Sequence, residues 1–449
     1  MKRRQFLKNS AGLATVAFLP SCGSTFKIPK NGRLRTAHIG VGGMGASDLG
    51  AISSHALVDV IALCDVDSIN LGKAAALHPG AKQFADYREM LNTIADQIDA
   101  VIVSTPDHTH APASIMAMQK NKPVYCQKPL THHVSEARAM AMLAKKKKLI
   151  TQMGIQVHSF YDYRLATSLI QSGIIGKVHT VHAWSPKNWG YDGIAPKGSD
   201  AIPDHLDWNL WQGTAAERPY KEDLYHPGKW RKLMDYGCGT LGDMGVHIFD
   251  TPYNALQLDV PTTIKNECRP PTGFGFPENN IVTYEFPGTN YTTSTLKWVW
   301  YDGPGAPNMH MDLNLPDDEE LPNQGAMFVG DYGRLLLPHF RQRPTKIVDR
   351  AYVNIDAEIE TAAQKYNLGV EPADYSGEGA KHYHQFVDAC LGKTKTSAAF
   401  DYSARLTEVI LLGVIAGRFP NQTLHWDRDN ATFAEVEANQ YLEGKYRQF

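Results

Sequence analysis

Residues 36–45 are Thr-Ala-His-Ile-Gly-Val-Gly-Gly-Met-Gly, a short apolar strand that runs into a turn of the form Gly-x-Gly-x-x-Gly. In such a turn Gly40 permits the bend, Gly42 lets the backbone approach a pyrophosphate, and Gly45 allows the following helix to pack closely on the strand. Phosphates rest on the N-terminus of that helix, where free N–H groups and the helix dipole favour anions. The motif therefore predicts a strand–turn–helix unit that binds a dinucleotide.

An acidic residue at the end of the next strand supports this prediction. The apolar run 58–64 leads into Asp65, about 20 residues after Gly45, where a carboxylate reaches the ribose hydroxyls. A carboxylate would repel the 2′-phosphate of NADP, and neither of the next two positions is arginine, so the sequence favours NAD. A glycine-rich turn beside a solvated acid is the alternative explanation.

The order of apolar runs predicts two domains. Runs at 100–103, 124–126 and 149–153 alternate with helical segments, which is typical of βαβ units and a parallel sheet. After residue 155 the pattern changes to strands without helices between them, at 178–184, 281–286 and 291–298, and to a hairpin at 328–337 with its turn at 331–333. We therefore expect an α/β Rossmann domain over residues 33–155. An α+β domain with an open, mostly antiparallel sheet follows over residues 156–449.

The composition excludes several classes of protein. Lys and Arg number 45 against 47 Asp and Glu, so the chain lacks the basic footprint of a nucleic-acid binder. Its 43% hydrophobic and 20% charged residues are ordinary for a folded globular chain. The six cysteines include no Cys-x-x-Cys pair, which argues against a disulfide framework and against a zinc site.

The first 22 residues predict an export signal. Arg3 and Arg4 precede Phe-Leu-Lys and an apolar run over 11–19 that is too short to span a bilayer. Leu-Pro-Ser-Cys at 19–22 resembles a lipoprotein processing box, so Cys22 is a candidate lipid anchor. We expect export through the twin-arginine route to the periplasm, with residues 23–32 as a linker. A basic amphipathic start is the alternative.

Two further motifs carry a family resemblance. Thr105-Pro106-Asp107-x-x-His110 ends the third strand, and Gln127-Lys128-Pro129 follows the next one. With the glycine-rich stretch 237–250, these motifs resemble the glucose–fructose oxidoreductase/inositol dehydrogenase (Gfo/Idh/MocA) family over roughly residues 33–445. Family members carry Glu-Lys-Pro where this chain has Gln127, so one charge is missing next to Lys128.

The resemblance implies that Lys128, Asp243 and His247 are catalytic. Oxidation of a carbinol carbon needs a base for the hydroxyl proton, and histidine titrates near neutrality. Asp243 and His247 stand at i and i+4, so on a helix they share one face. A lysine ammonium can hold the alcohol and stabilise developing negative charge. A surface lysine, a helix-capping aspartate and a core histidine are the structural alternatives.

The same resemblance and motifs assign the binding residues. The expected cofactor contacts come from the turn, the ends of the strands and the two motifs: Gly40, Gly42, Gly43, Met44, Gly45, Asp65, Thr105, Pro106, His108, His110, Gln127 and Lys128. The expected substrate contacts follow the last Rossmann strand or lie in a long loop: Gln156, His158, Tyr161, Trp230 and Arg231. A weaker group in the same loops is Trp184, Lys187, Trp208, Trp211 and His226. We expect no metal site, because His132-His133 and His382-x-His384 lack further ligands.

Together these features predict an NAD-dependent oxidoreductase that acts on a hydroxyl of a sugar, cyclitol or glycoside and forms a homo-oligomer, such as a dimer. A glycosidase that uses bound NAD in a transient oxidation–elimination cycle is one alternative, although Lys128-Pro129 argues for net redox chemistry. A cofactor-binding sensor or structural lipoprotein is another. Because free NAD is scarce outside the cytoplasm, export requires a tightly bound and recycled cofactor.

Overall fold

The computed structural model describes residues 29, 31–304, 307, 310–340, 342–373 and 377–449. The predicted export signal, with Arg3, Arg4 and the candidate lipid anchor Cys22, lies outside the described residues. Within those ranges, no helix combines the length and apolar character that a membrane span requires.

The first sheet has six strands, all parallel, as expected for the Rossmann domain. Its strands are β1 (Leu34–Ile39), β2 (Val58–Cys64), β3 (Lys82–Phe84), β4 (Ala100–Val103), β5 (Val124–Cys126) and β6 (Thr151–Met153). The helices of this region are α1 (Met44–Ser53), α2 (Ser68–Leu77), α3 (Tyr87–Ile94), α4 (Asp107–Gln119) and α5 (Val134–Lys147). The spatial order is β3-β2-β1-β4-β5-β6, so the direction of winding changes between β1 and β4, where a crevice opens at the carboxyl ends of the strands.

The second sheet has ten strands and is antiparallel except for one pair, which confirms the predicted fold class. Its strands are β7 (Val178–Ser185), β8 (Thr263–Glu267), β9 (Asn280–Pro287), β10 (Thr292–Asp302), β11 (Gly325–Gly330), β12 (Gly333–Pro338), β13 (Thr345–Val348), β14 (Ala351–Val353), β15 (Thr423–Asp427) and β16 (Thr432–Phe433). The spatial order is β14-β13-β12-β11-β7-β10-β9-β8-β15-β16. The accompanying helices are α6 (Tyr161–Gln171), α7 (Trp208–Gln212), α8 (Val246–Ala255), α9 (Asp356–Lys365), α10 (Glu378–Cys390) and α11 (Phe400–Ala416).

The expectation that no helix separates these strands was wrong. Helices α7 and α8 lie between β7 and β9, and β7 pairs in parallel with β10 at the centre of the sheet. Parallel neighbours need a long crossover connection, which α8 supplies by packing across one sheet face. Phe249 of α8 stacks on Trp298 of β10 with ring centroids 4.3 Å apart.

The start of α8 also differs from expectation. Leu241–Gly245 form a π-helical turn that continues directly into α8, so Asp243 and His247 do not share one regular α-helix. Single π turns within helices occur frequently at functional sites. Here the turn carries the glycine-rich stretch of the sequence to the mouth of the Rossmann crevice.

The C-terminal helices join the two sheets into one body. Helix α10 packs on α1, and its Tyr383 and Phe386 belong to the same buried cluster as Leu34, Ile52 and Tyr125 of the first domain. Helix α11 packs on α5. The crevice is therefore held between elements from both ends of the chain.

Candidate active site

A cavity of about 570 Å³ opens at the carboxyl ends of β1, β2, β4 and β5. The glycine-rich turn and Asp65 line one part of it, and Lys128, Asp243 and His247 line another. A single space therefore joins the predicted dinucleotide site to the predicted catalytic residues.

The glycine-rich turn has room only for glycine at two positions. Gly40 has φ +80°, and a Cβ placed there would lie 2.6 Å from the carbonyl oxygen of Ser104. A Cβ on Gly45 would lie 2.1 Å from the carbonyl oxygen of Gly40. This close packing brings the N-terminus of α1 to the cavity wall, where its first N–H groups have no partners within the helix and suit a pyrophosphate.

Asp65 connects the end of β2 to this turn. Its Oδ2 accepts a hydrogen bond from the backbone N–H of Val41 at 2.8 Å, and its Oδ1 accepts one from Asp67 at 2.9 Å. Burial raises the pKa of Asp65, while these backbone donors oppose the rise. A second carboxylate, Asp67, follows closely and accepts from His226 Nε2 at 2.8 Å. The Asp65 carboxylate at this end of the cavity fits ribose hydroxyls and disfavours a 2′-phosphate, whereas Asp67 caps α2 and is not part of the cavity lining.

Asp243 is the centre of the catalytic part of the cavity. Lys128 Nζ donates to Asp243 Oδ1 at 2.8 Å and to the Asp243 carbonyl oxygen at 3.0 Å. Arg231 Nε donates to Oδ1 at 3.2 Å, and Trp189 Nε1 donates to Oδ2 at 2.7 Å. Burial alone would raise the pKa of Asp243, but Lys128 and Arg231 hold it below its usual range. Asp243 is therefore an ionised anchor for the Lys128 ammonium.

His247 follows one turn later and is half-buried. Its Nδ1 is enclosed and has no hydrogen-bond partner among the residues that the structure describes. Burial, with the nearby Lys128 and His339, holds the pKa of His247 well below its usual value, although Asp243 opposes this. The imidazole is therefore neutral at pH 7 and can accept a proton. An orphaned ring nitrogen beside Lys128 fits a site that a cofactor and a substrate complete.

Gln127 lines the cavity and also contacts a buried carboxylate. Its Nε2 lies 3.0 and 2.8 Å from the two oxygens of Asp48 on α1. Asp48 also accepts from Ser104 Oγ at 2.6 Å and from the Tyr383 hydroxyl at 2.7 Å. Tyr383 in turn accepts from Gln156 Nε2 at 2.6 Å. These hydrogen bonds therefore form one polar network that links α1, the Lys128 segment and α10.

Most of the expected cofactor residues line the cavity: Gly40, Gly42, Gly43, Met44, Asp65, Thr105, Pro106, Gln127 and Lys128. Three do not. Gly45 packs beneath the turn. The ring nitrogens of His108 face the carbonyl oxygens of Trp211 and Tyr236, and those of His110 face Thr105 and Pro129. Both histidines are buried braces of the surrounding backbone, so their positions do not fit direct cofactor contact.

Of the expected substrate residues, Gln156, Trp230 and Arg231 line the cavity. His158 instead lies in a separate surface pocket and bonds Asp250 at 2.9 Å, while Tyr161 is buried in the apolar core. Among the weaker group, Lys187, Trp211 and His226 line the cavity. Trp184 lies on the far face of the second sheet and Trp208 stacks on Trp211, so neither fits a substrate contact.

Trp189 and Asp107 are among the cavity residues that were not predicted from the sequence. Trp189 donates to Asp243, but nothing distinguishes it in sequence from other loop tryptophans. Asp107 lies within the Thr-Pro-Asp motif at the end of β4, and that position was a usable signal. Burial raises the pKa of Asp107 to about 7, against the opposing effect of Arg231 and Lys128.

Comparison with protein families gives two adjoining matches. Residues 34–155 match the oxidoreductase family's NAD-binding Rossmann fold, and residues 159–272 match its C-terminal alpha/beta domain. Together the two matches cover just over half of the chain.

Individual relatives match over shorter segments. An inositol 2-dehydrogenase of Rhodococcus erythropolis is 34% identical over 157 residues, which is 34% of this chain and 44% of that protein. A glycosyl hydrolase family 109 protein of Stenotrophomonas maltophilia is 35% identical over 136 residues, 28% of this chain and 29% of that one. The chain thus matches less than half of the length of these relatives.

Solved structures agree over most of the chain. An aldose-aldose oxidoreductase of Caulobacter crescentus, complexed with glycerol, superposes with a TM-score of 0.58 at 15% identity and covers 88% of this chain and 99% of its own. At this identity the likeness concerns the fold. The parallel sheet, the glycine-rich turn and the two adjoining matches place the chain in the Gfo/Idh/MocA oxidoreductase family, with an NAD-binding Rossmann domain at residues 34–155.

Proposed function

We propose that this protein is an NAD-dependent dehydrogenase that transfers a hydride between nicotinamide and a hydroxyl-bearing carbon of a sugar, cyclitol or glycoside. The observation that carries the proposal is the contact of Lys128 with the ionised Asp243 beside a neutral His247, in the same cavity as the glycine-rich turn.

The chain's own groups divide the work. When bound, NAD supplies the carbon that accepts or returns the hydride. Lys128 binds the substrate oxygen through its ammonium and stabilises negative charge there. Asp243 holds the Lys128 ammonium in place, and Arg231 and Trp189 hold Asp243. His247 takes the hydroxyl proton, because its imidazole carries no proton at neutral pH.

The walls beyond the catalytic residues favour a polyhydroxylated ring. The Arg231 guanidinium lies 4.2 Å from the ring centroid of Trp230 and 5.6 Å from that of Trp189. Arg231 thus places guanidinium donors for hydroxyls beside two indole rings that also line the cavity and can contact C–H surfaces. An inositol 2-dehydrogenase and an aldose-aldose oxidoreductase, to which the chain is similar, carry names that agree with this substrate class.

The proposal is tested by assay of the purified protein. Its bound nucleotide is released by denaturation and identified by mass spectrometry, and turnover is followed with a panel of cyclitols, aldoses and glycosides. We expect NAD(H) and substrate-dependent NADH formation. Stoichiometric NADP, or no nucleotide together with no affinity for NAD, would contradict the proposal.

The alternative is a glycosidase with an internal redox cycle. The match to a glycosyl hydrolase family 109 protein favours it, over 28% of this chain. A dehydrogenase supplied with free NAD and glycoside accumulates NADH. An internal cycle cleaves the glycoside without net NADH, so measurement of both products separates the two.

We further propose that the protein is exported through the twin-arginine route, is lipidated at Cys22 and acts as a homodimer. The motif at 3–8 and the box at 19–22 support the first two proposals. Export is tested by cell fractionation of the wild type beside an Arg3→Lys/Arg4→Lys variant. Lipidation is tested by acyl labelling with Cys22→Ser as the control, and the dimer is tested by light scattering. Unchanged localisation in the twin variant, labelling that persists in Cys22→Ser, or a monomeric mass would each contradict one.

A further inference from the structure

We propose that His182, His310 and Asp312 form a binding site for one divalent transition-metal ion of the zinc class. These residues lie on the face of the second sheet opposite α8, away from the cavity of the candidate active site. His182 precedes the other two ligands by more than a hundred residues in the sequence, so no ligand spacing marks the site.

The three side chains converge on one point. His182 Nε2 lies 3.3 Å from Asp312 Oδ2, and His310 Nδ1 lies 3.3 Å from the same oxygen. The ligand atoms of all three residues lie within 4.8 Å of one another. Ligands bound tetrahedrally at about 2.0 to 2.1 Å from zinc are separated by about 3.3 Å. Two of the three separations therefore already match those around one ion.

The surroundings orient the His182 imidazole toward this point. His182 lies on the central strand β7 and is only 1% exposed. Its Nδ1 lies 3.1 Å from the hydroxyl of Tyr301 on the neighbouring β10, which leaves Nε2 directed at Asp312. Metal-bound histidines are commonly held in this way through their other ring nitrogen.

His310 reaches the same point from the crossing segment. Its Nδ1 lies 3.3 Å from Asp312 Oδ2 and accepts a hydrogen bond of 3.2 Å from the backbone N–H of Asp312. Binding of an ion at Nδ1 replaces that hydrogen bond. One metal ion between the three side chains contacts both histidines and the carboxylate.

The ligand chemistry selects the class of ion. Two imidazoles and one carboxylate suit zinc, cobalt or nickel, whereas magnesium and calcium prefer oxygen ligands throughout. His310 and Asp312 are partly exposed, so solvent can supply a fourth ligand.

The position of the site indicates a structural role. Residues 310–321 cross the sheet face and cover an apolar cluster that includes Trp184, Leu313 and Met327. Strand β7 supplies His182, and the crossing segment supplies the other two ligands. A bound ion would therefore clamp this segment to the sheet and stabilise the fold.

The test uses the full-length protein after treatment with a chelator. Zinc is titrated by calorimetry, cobalt is added to read the absorption bands of tetrahedral coordination, and melting is followed with and without zinc. We expect one ion per chain, tetrahedral cobalt bands and a rise in Tm. His310→Ala and Asp312→Asn each change one partly exposed ligand and should weaken binding by at least about tenfold.

His179→Ala is the matched control, because His179 is exposed on the same strand and lies outside the cluster. It should bind zinc as the wild type does. Equal affinity in the wild type, His310→Ala and Asp312→Asn would place the ion elsewhere and overturn the proposal, as would the absence of stoichiometric binding to the wild type.

Discussion

Gln127 and Asp48 form a buried amide–carboxylate pair, with Gln127 Nε2 at 3.0 and 2.8 Å from the two Asp48 oxygens. Both side chains are almost fully enclosed. The motif of the family has glutamate at position 127, and a glutamate here would face a second carboxylate at the same distance. Glutamine at position 127 therefore suits the carboxylate of Asp48 on α1, because it donates hydrogen bonds to that carboxylate instead of repelling it.

This pairing predicts a compensating double variant. Gln127→Glu should lower the free energy of unfolding at pH 7 by about 1 to 3 kcal/mol, because two buried carboxyl groups would compete for one charge. Adding Asp48→Asn should restore most of the loss by exchanging the amide and the carboxylate. Urea unfolding of both single variants and the double variant measures the coupling. Strictly additive effects would contradict the pairing.

Removal of either Lys128 or His247 should slow turnover strongly without loss of the cofactor. A general base typically contributes about 10² to 10⁴ in rate, so Lys128→Ala and His247→Ala should each lose activity on that scale. Neither residue belongs to the glycine-rich turn, so both variants should retain bound NAD. Single-turnover hydride transfer within a few-fold of wild type, in folded and loaded variants, would show that the chemistry lies elsewhere.

The pH dependence of that activity has a definite sign. His247 must be neutral to accept a proton, and burial with Lys128 holds its pKa well below the usual value. Activity should therefore persist from neutral pH to about pH 6.5 and fall only in more acidic solution. A decline that begins above neutral pH would exclude His247 as the group that controls this limb.

Asp65 should carry part of the affinity for NAD. Asp65→Ala removes a charged hydrogen-bond acceptor and should weaken NAD binding by about 1.5 to 3 kcal/mol. The substitution also frees the Val41 N–H, so melting curves accompany the calorimetry. Asp96→Ala, outside the cavity lining, should leave NAD affinity unchanged. Equal affinity in Asp65→Ala and wild type would leave Asp65 as an acceptor for the backbone of the turn with no role in NAD recognition.

Asp107 should make the nucleotide-free protein less stable as the pH rises. Its pKa is about 7 in the folded protein, whereas an unfolded aspartate ionises near 3.9. Between these values the folded state retains a proton that the unfolded state releases, so stability falls with rising pH. Asp107→Asn removes this loss and should gain up to about 4 kcal/mol on wild type between pH 4 and pH 8. A pH-independent difference in chemical denaturation would refute the shift.

Local patterns account for much of the fold. The mainly apolar runs at 58–64 and 100–103 coincide with strands β2 and β4, because buried parallel strands are rich in apolar residues, and only Asp59 interrupts the first run. The hairpin predicted over 328–337 is formed by β11 and β12, but Gly330 pairs with Gly333, so the turn is Asp331–Tyr332 rather than 331–333. Strand β3 escaped prediction, since its three residues are not buried and carry no pattern.

The site was harder to predict where contacts between residues distant in sequence decide which way a side chain points. Lys128, Asp243 and His247 lie in motifs, and the structure gathers them at one end of the cavity. Trp184 lies on a predicted strand, but the pleat of β7 directs its side chain to the sheet face away from the cavity. His158 follows a predicted strand, but its side chain binds the Asp250 carboxylate outside the cavity. The sequence of residues 237–250 does not predict a π turn, because the backbone register of the turn depends on packing against elements distant in sequence.

The packing of α10 on α1 has a consequence for the timing of synthesis. The helix that follows the glycine-rich turn buries its outer face against residues near position 386, which the ribosome adds only after most of the chain. Tyr383 also completes the hydrogen bonds of Asp48. Domains generally fold as their residues emerge, but the packing around α1 is incomplete until α10 has been synthesised. We therefore expect NAD to bind tightly only after α10 has docked.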